Sequence, residues 1–126
     1  HLGQALMGGS VLMLGLFRGY DGMIHRMDTP YKGAKILAGA SAGETVFYDP
    51  SGRLEEAQYK GCAVHPIDEK KWKEIADRLL KLEKIFGLGI SRENGFVTLM
   101  IDGRLETVAP EHFRWVIPKG ELEGYH

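Results

Sequence analysis

The sequence predicts an α/β domain built on a mixed sheet. Three observations predict it. Short apolar runs alternate with helix-like patterns, residues 69 to 84 carry the clearest amphipathic helix, and Asp102-Gly103 joins two strand-like runs as a tight hairpin. Strand–helix–strand alternation calls for parallel pairing and the hairpin for antiparallel pairing.

Each element has its own signal. Gln4 to Met7 reads as a short buried strand ending at Gly8-Gly9. From Ser10, a plausible N-cap, the apolar residues Val11, Leu12, Leu14, Leu16 and Phe17 suit a helix packed on a sheet, weakened by Gly15 and Gly19. Tyr20 to Met27 reads as a second helical piece that stops at the loop signal Asp28-Thr29-Pro30. Lys35 to Ala38 is a strand leading into a glycine-rich turn. Asp49-Pro50-Ser51-Gly52 marks a turn, and Gly61 to His65 a short strand stopped by Pro66.

Asp68 caps the helix from Glu69 to about Lys84, whose apolar stripe is Trp72, Ile75, Ala76 and Leu79. Phe86 to Ile90 reads as a buried strand. Phe96–Ile101 and Arg104–Val108 form the hairpin, and Phe113 to Ile117 adds a last strand. No repeat or composition shift divides the chain, so residues 1–126 are read as a single α/β domain.

Composition removes several function classes. Sixteen basic and 17 acidic residues are mixed along the chain and leave a net charge of −1, with no footprint for nucleic acid. The longest apolar run, Ser10 to Phe17, is too short to span a bilayer, and no segment has the layout of a secretion signal. Cys62 is the single cysteine, which fits a reducing, cytoplasmic compartment.

The stretch with chemical promise is Gly39-Ala40-Ser41-Ala42-Gly43, a Gly-x-Ser-x-Gly turn after an apolar strand and before residues that can start a helix. Glycines at both ends let strand and helix pack closely around Ser41. Such a turn projects the Ser41 hydroxyl above the sheet edge. It also sets the Ala42 N–H at a helix N-terminus, facing any developing negative charge. Upstream, the Gly8-Gly9 pair can offer a second N–H. Downstream lie His65 at a strand end and Glu93-Asn94 in a loop.

These pieces, in this order, resemble the peptidase E and cyanophycinase family of serine peptidases. Ala5-Leu6-Met7-Gly8-Gly9 resembles the family's strand with its glycine pair, and Gly39 to Gly43 its nucleophile turn. His65 falls where the family places its base. Gly87 to Asn94, followed by a strand and Asp102-Gly103, resembles its Gly-Ile-Asp-Glu-Asn segment and hairpin. The acidic segment here carries one residue more, and Pro66-Ile67 follow the histidine where the family has an aromatic residue. The family also has a long segment before the glycine-pair strand. The resemblance therefore implies the C-terminal part of a larger peptidase domain, of flavodoxin-like three-layer fold and lacking its first strands. An N-terminal partner fragment or self-association would cover the sheet edge so left.

The resemblance implies a serine hydrolase that cleaves an amide bond in a small, aspartyl-containing peptide through an acyl-enzyme on Ser41. His65 is then the base, Glu93 the group that orients it, and Gly9 and Ala42 the oxyanion donors, with no metal or organic cofactor. Each residue has a plainer reading. Ser41 can cap a helix, His65 can bond to backbone, Glu93 can be a solvated loop carboxylate, and Asp68 competes for its role. Cys62, on the opposite side of its strand from His65, reads as core. His25, His65 and His112 have no metal-ligand spacing. The competing class is a non-catalytic α/β binding or interaction domain that retains the turn.

Overall fold

The structure, a computed structural model, describes residues 4–7, 10–27, 44–52, 54, 62–87, 89–93 and 96–118, with the side chains of 4–6, 93 and 118 outside the description. It is a mixed α/β fold, mostly strands. A five-stranded mixed sheet contains β1 (Gln4–Met7), β2 (Ser10–Met13), β5 (Glu44–Tyr48), β10 (Phe113–Pro118) and β6 (Cys62–His65), in that spatial order. β2 and β5 run parallel; the other neighbours are antiparallel. Leu16–Arg18 (β3) and Ile24–Arg26 (β4) pair as a hairpin, and Ser91–Glu93 (β7), Phe96–Ile101 (β8) and Arg104–Val108 (β9) form a three-stranded antiparallel sheet.

Helix α1 spans Glu69–Phe86. Asp68 caps it by accepting the Lys71 N–H at 2.7 Å. Gly87 ends it in the left-handed conformation (φ 62°), its N–H bonded to the Glu83 carbonyl. Ile75, Ala76, Leu79 and Leu82 line its buried face. They join Leu12, Val46, Tyr48 and Phe113 of the five-stranded sheet with Val97, Leu99, Ile101 and Val108 of the smaller one. Burying each large side chain in this core stabilises the fold by about 1.5–3 kcal/mol before entropy is counted. On the other sheet face, Phe47 and Val116 pack with Met13, Leu54 and Cys62.

Several sequence expectations hold: β1, the strand at residues 62–65, the Asp68-capped helix, the β8–β9 hairpin and the final strand. Asp102 (φ 53°) and Gly103 (φ 76°) both take positive φ, as a two-residue hairpin turn requires. The turn at Asp49–Gly52 closes through Gly52 N–H to the Asp49 carbonyl at 3.2 Å.

Four expectations are corrected. Ser10 to Phe17 is not a helix but β2 and the start of β3, with Gly15 between them at φ 67°. In β2, buried Ser10 and Leu12 alternate with half-buried Val11 and Met13, a period of two that sheet pairing on both sides enforces. Tyr20 to Met27 is not helical: the Gly22 N–H bonds to the Gly19 carbonyl at 3.0 Å, and the chain turns back into β4. Phe86 to Ile90 is not a strand, because the helix runs on through Phe86 and Gly87 caps it. The residues after Gly43 do not start a helix. Glu44-Thr45-Val46-Phe47-Tyr48 is rich in β-branched and aromatic side chains and becomes the buried strand β5. Among the described residues no helix is long and apolar enough to cross a membrane.

Candidate functional site

Register places a row of polar side chains across one face of the five-stranded sheet. Ser10 is the partner of Glu44, Val46 of Trp115, and Trp115 of His65. With a side-chain period of two, Ser10, Glu44, Trp115 and His65 all stand on the face that α1 covers. The Trp115 indole N–H donates to Glu44 Oε1 at 3.0 Å. Its ring carries the His65 imidazole, with centroids 4.5 Å apart.

Lys71 enters this row from the first turn of α1. It is 7% exposed, so its ammonium needs partners. It has three: the Ser10 hydroxyl at 3.2 Å, Glu74 Oε2 at 3.1 Å, and the Trp115 ring, whose centroid lies 4.2 Å away. The group is fully occupied and knits helix to sheet. Serine-to-lysine spacing of this kind can serve acyl transfer, but Ser10 is 2% exposed and closed to a substrate.

His65 differs, because it is exposed. Its Nδ1 lies 3.0 Å from the Pro66 carbonyl, which can only accept, so Nδ1 carries the hydrogen. The neutral ring then keeps a lone pair on Nε2, which no described residue engages. His65 opens on a groove of about 490 Å³ beside the end of β6. Val64, Pro66, Ile67 and Pro110 make its apolar walls, and Glu111 and Arg114 add charge. The Arg114 guanidinium folds back on the Glu111 and Phe113 carbonyls at 3.0 and 3.1 Å, which fixes its position.

Ser41, Ala42 and Gly9 lie outside the described residues. Their described neighbours Ser10 and Glu44 are register partners at the starts of parallel strands. Glu93 belongs to β7 in the three-stranded sheet, whereas His65 belongs to the five-stranded one, and the Glu93 side chain is outside the description. Asp68 is spent on its helix cap. The three histidines go separate ways: His25 to Asp21 and Asp102, His65 to Trp115 and Pro66, and His112 to the Ala109 N–H. Among the described residues no cluster could hold a metal ion.

Sequence reasoning missed Lys71, Trp115 and Glu44. One signal was available: Lys71 stands four residues before Ile75 and eight before Leu79, on the buried stripe itself. Comparison with known protein families, with curated proteins and with solved structures finds no match for this chain.

Proposed function

We propose that this chain is a non-catalytic α/β binding domain whose ligand sits in the groove beside β6. The observation that carries the reading is the groove itself, an open depression with largely apolar walls beside an exposed histidine. One hydrogen-bond acceptor, His65 Nε2, is held pointing away from its Pro66 tether. Such a site suits a short peptide with an apolar side chain and an N–H that His65 can accept. The strand that follows Gly43 favours this class over an enzyme, since a helix dipole behind Ala42 is then missing.

The test is an amide-shift titration with capped apolar dipeptides. Shifts confined to Val64, His65, Ile67 and Arg114, and abolished in a folded His65→Ala variant, support the reading. Shifts elsewhere, or shifts indifferent to His65→Ala, sink it.

A second reading keeps the serine hydrolase, with Ser41 as nucleophile, His65 as base and the Gly9 and Ala42 N–H groups as oxyanion donors. Two observations favour it. Ser10 and Glu44, which follow Gly9 and Gly43, are paired on the sheet face that bears His65, and the Nδ1–H tautomer leaves Nε2 able to take a proton. In this reading the Pro66 carbonyl fixes the tautomer that Glu93 was expected to fix. Removing one oxyanion donor would cost about 10²–10³ in rate. The flavodoxin-like three-layer fold, an N-terminal partner fragment or a self-associated edge, and a cytoplasmic setting all belong to this reading. A fluorophosphonate adduct that vanishes in Ser41→Ala establishes it; a folded protein that forms no adduct removes it.

A further inference from the structure

His25 stands on β4, away from the groove, and two turns close on it. Asp102, in the β8–β9 turn, brings Oδ1 to 2.8 Å from Nδ1. Asp21, in the β3–β4 turn, brings its two oxygens to 3.0 and 2.9 Å from Nε2. Ionised carboxylates only accept, so this geometry needs a hydrogen on both ring nitrogens. That is the imidazolium, since a neutral ring carries one hydrogen alone.

The contact spans two sheets. Asp102 also donates its backbone N–H to the Ile24 carbonyl at 2.9 Å, and Ile24 is buried in the core. The charged groups around His25 are accounted for. Arg18 of β3 gives its guanidinium to the Gly22 and Phe86 carbonyls, and Arg26 of β4 pairs with Glu106 of β9 at 2.6 Å. The register partner of His25 is Phe17, whose ring centroid lies 5.7 Å away and brings no charge.

We propose that His25 is the pin of a pH-sensitive clasp between the β3–β4 hairpin and the β8–β9 turn, holding both Asp21 and Asp102 while the imidazole is charged and loosened to one of them when it is neutral. Losing one proton leaves one carboxylate facing a ring lone pair. The half-exposed carboxylate that faces the lone pair turns to water, so the neutral ring holds Asp102 or Asp21 but not both. The Asp102–Ile24 backbone bond and the Arg26–Glu106 pair keep the two sheets joined. The hydrogen bond with Asp102, then that with Asp21, raises the His25 pKa above its ordinary 6.5, which keeps the clasp closed to a higher pH than an unpaired imidazole would.

The experiment is a ring-nitrogen and backbone-amide titration of the intact chain by NMR. His25 is expected to titrate above 6.5, with the Ile24 and Asp102 amide signals moving at the same midpoint. Asp21→Asn keeps an oxygen for the Met23 N–H, and Asp102→Asn suits the positive φ of that turn. Each is expected to lower the His25 midpoint, and His25→Gln to abolish the coupled amide shifts. A His25 midpoint at or below 6.5 overturns the proposal. So do Ile24 and Asp102 signals that stay still while His25 titrates.

Discussion

The Lys71 ammonium meets the Ser10 hydroxyl at 3.2 Å, joining the first turn of the helix to the second strand of the sheet. Ser10→Ala takes away an acceptor from a buried charge and is expected to cost about 1–3 kcal/mol in urea unfolding. Lys71→Met removes the charge while keeping the stem, and Glu74, at 41% exposure, can return to water. That variant is expected to fall within about 1 kcal/mol of the parent. The reverse order of the two would mean the ammonium is not desolvated.

Two glycines near the helix end separate backbone strain from crowding. A methyl group at Gly87 (φ 62°) meets nothing within 4 Å, whereas at Gly89 (φ 74°) it meets Met100 Cβ and Cγ at 3.0 Å. Gly87→Ala is therefore expected to cost about 1–2 kcal/mol, the left-handed penalty alone. Gly89→Ala should cost more. Equal thermal shifts would deny the close approach of Gly89 to Met100.

Stability should depend on pH through His25. Its folded pKa is raised, so its contribution is complete below the unfolded value of 6.5 and is lost as pH rises through the higher folded value. The Asp21 carboxyl is held low, chiefly by the Met23 N–H and then by His25, so its contribution is lost only in acid, below the ordinary 3.8. The gap in urea midpoint between parent and His25→Gln is expected to be widest below 6.5 and to close above it. A gap independent of pH would contradict this.

His65 should exist as the Nδ1–H tautomer when neutral, because its tether is a carbonyl. Ring nitrogen shifts distinguish the two forms directly. A dominant Nε2–H form would mean the Pro66 bond is absent and the groove offers a donor instead of an acceptor.

Local signals with one physical meaning were legible from the sequence. Asp68 before an amphipathic run means a capped helix, and Asp-Gly between alternating residues means a tight hairpin. Residues 10 to 17 were ambiguous because apolar side chains at nearly every position blur the period. Leu12 and Leu16 share a helical face, while Leu12, Leu14 and Leu16 keep the strand spacing of two, and pairing with residues far along the chain decided it. The same holds for Glu44–Tyr48, where strand propensity outweighs the helix that a nucleophile turn would need. Cys62 was legible, lying on the opposite sheet face from His65 as alternation requires. The Lys71–Trp115 contact was not legible, since it depends on a register that no local pattern encodes.

The position of β10 has a consequence for how the chain assembles. It lies between β5 and β6, both of which precede it in sequence. On a ribosome, β5 and β6 emerge with the slot between them unfilled, and the sheet closes only when Phe113–Pro118 arrives. Cutting the chain before Phe113 would leave β6 without its ladder and expose a side of β5, two raw edges open to foreign strands. Folding is thus gated by synthesis of the strand that comes last among those described, and a chain stalled before it is a candidate for aggregation.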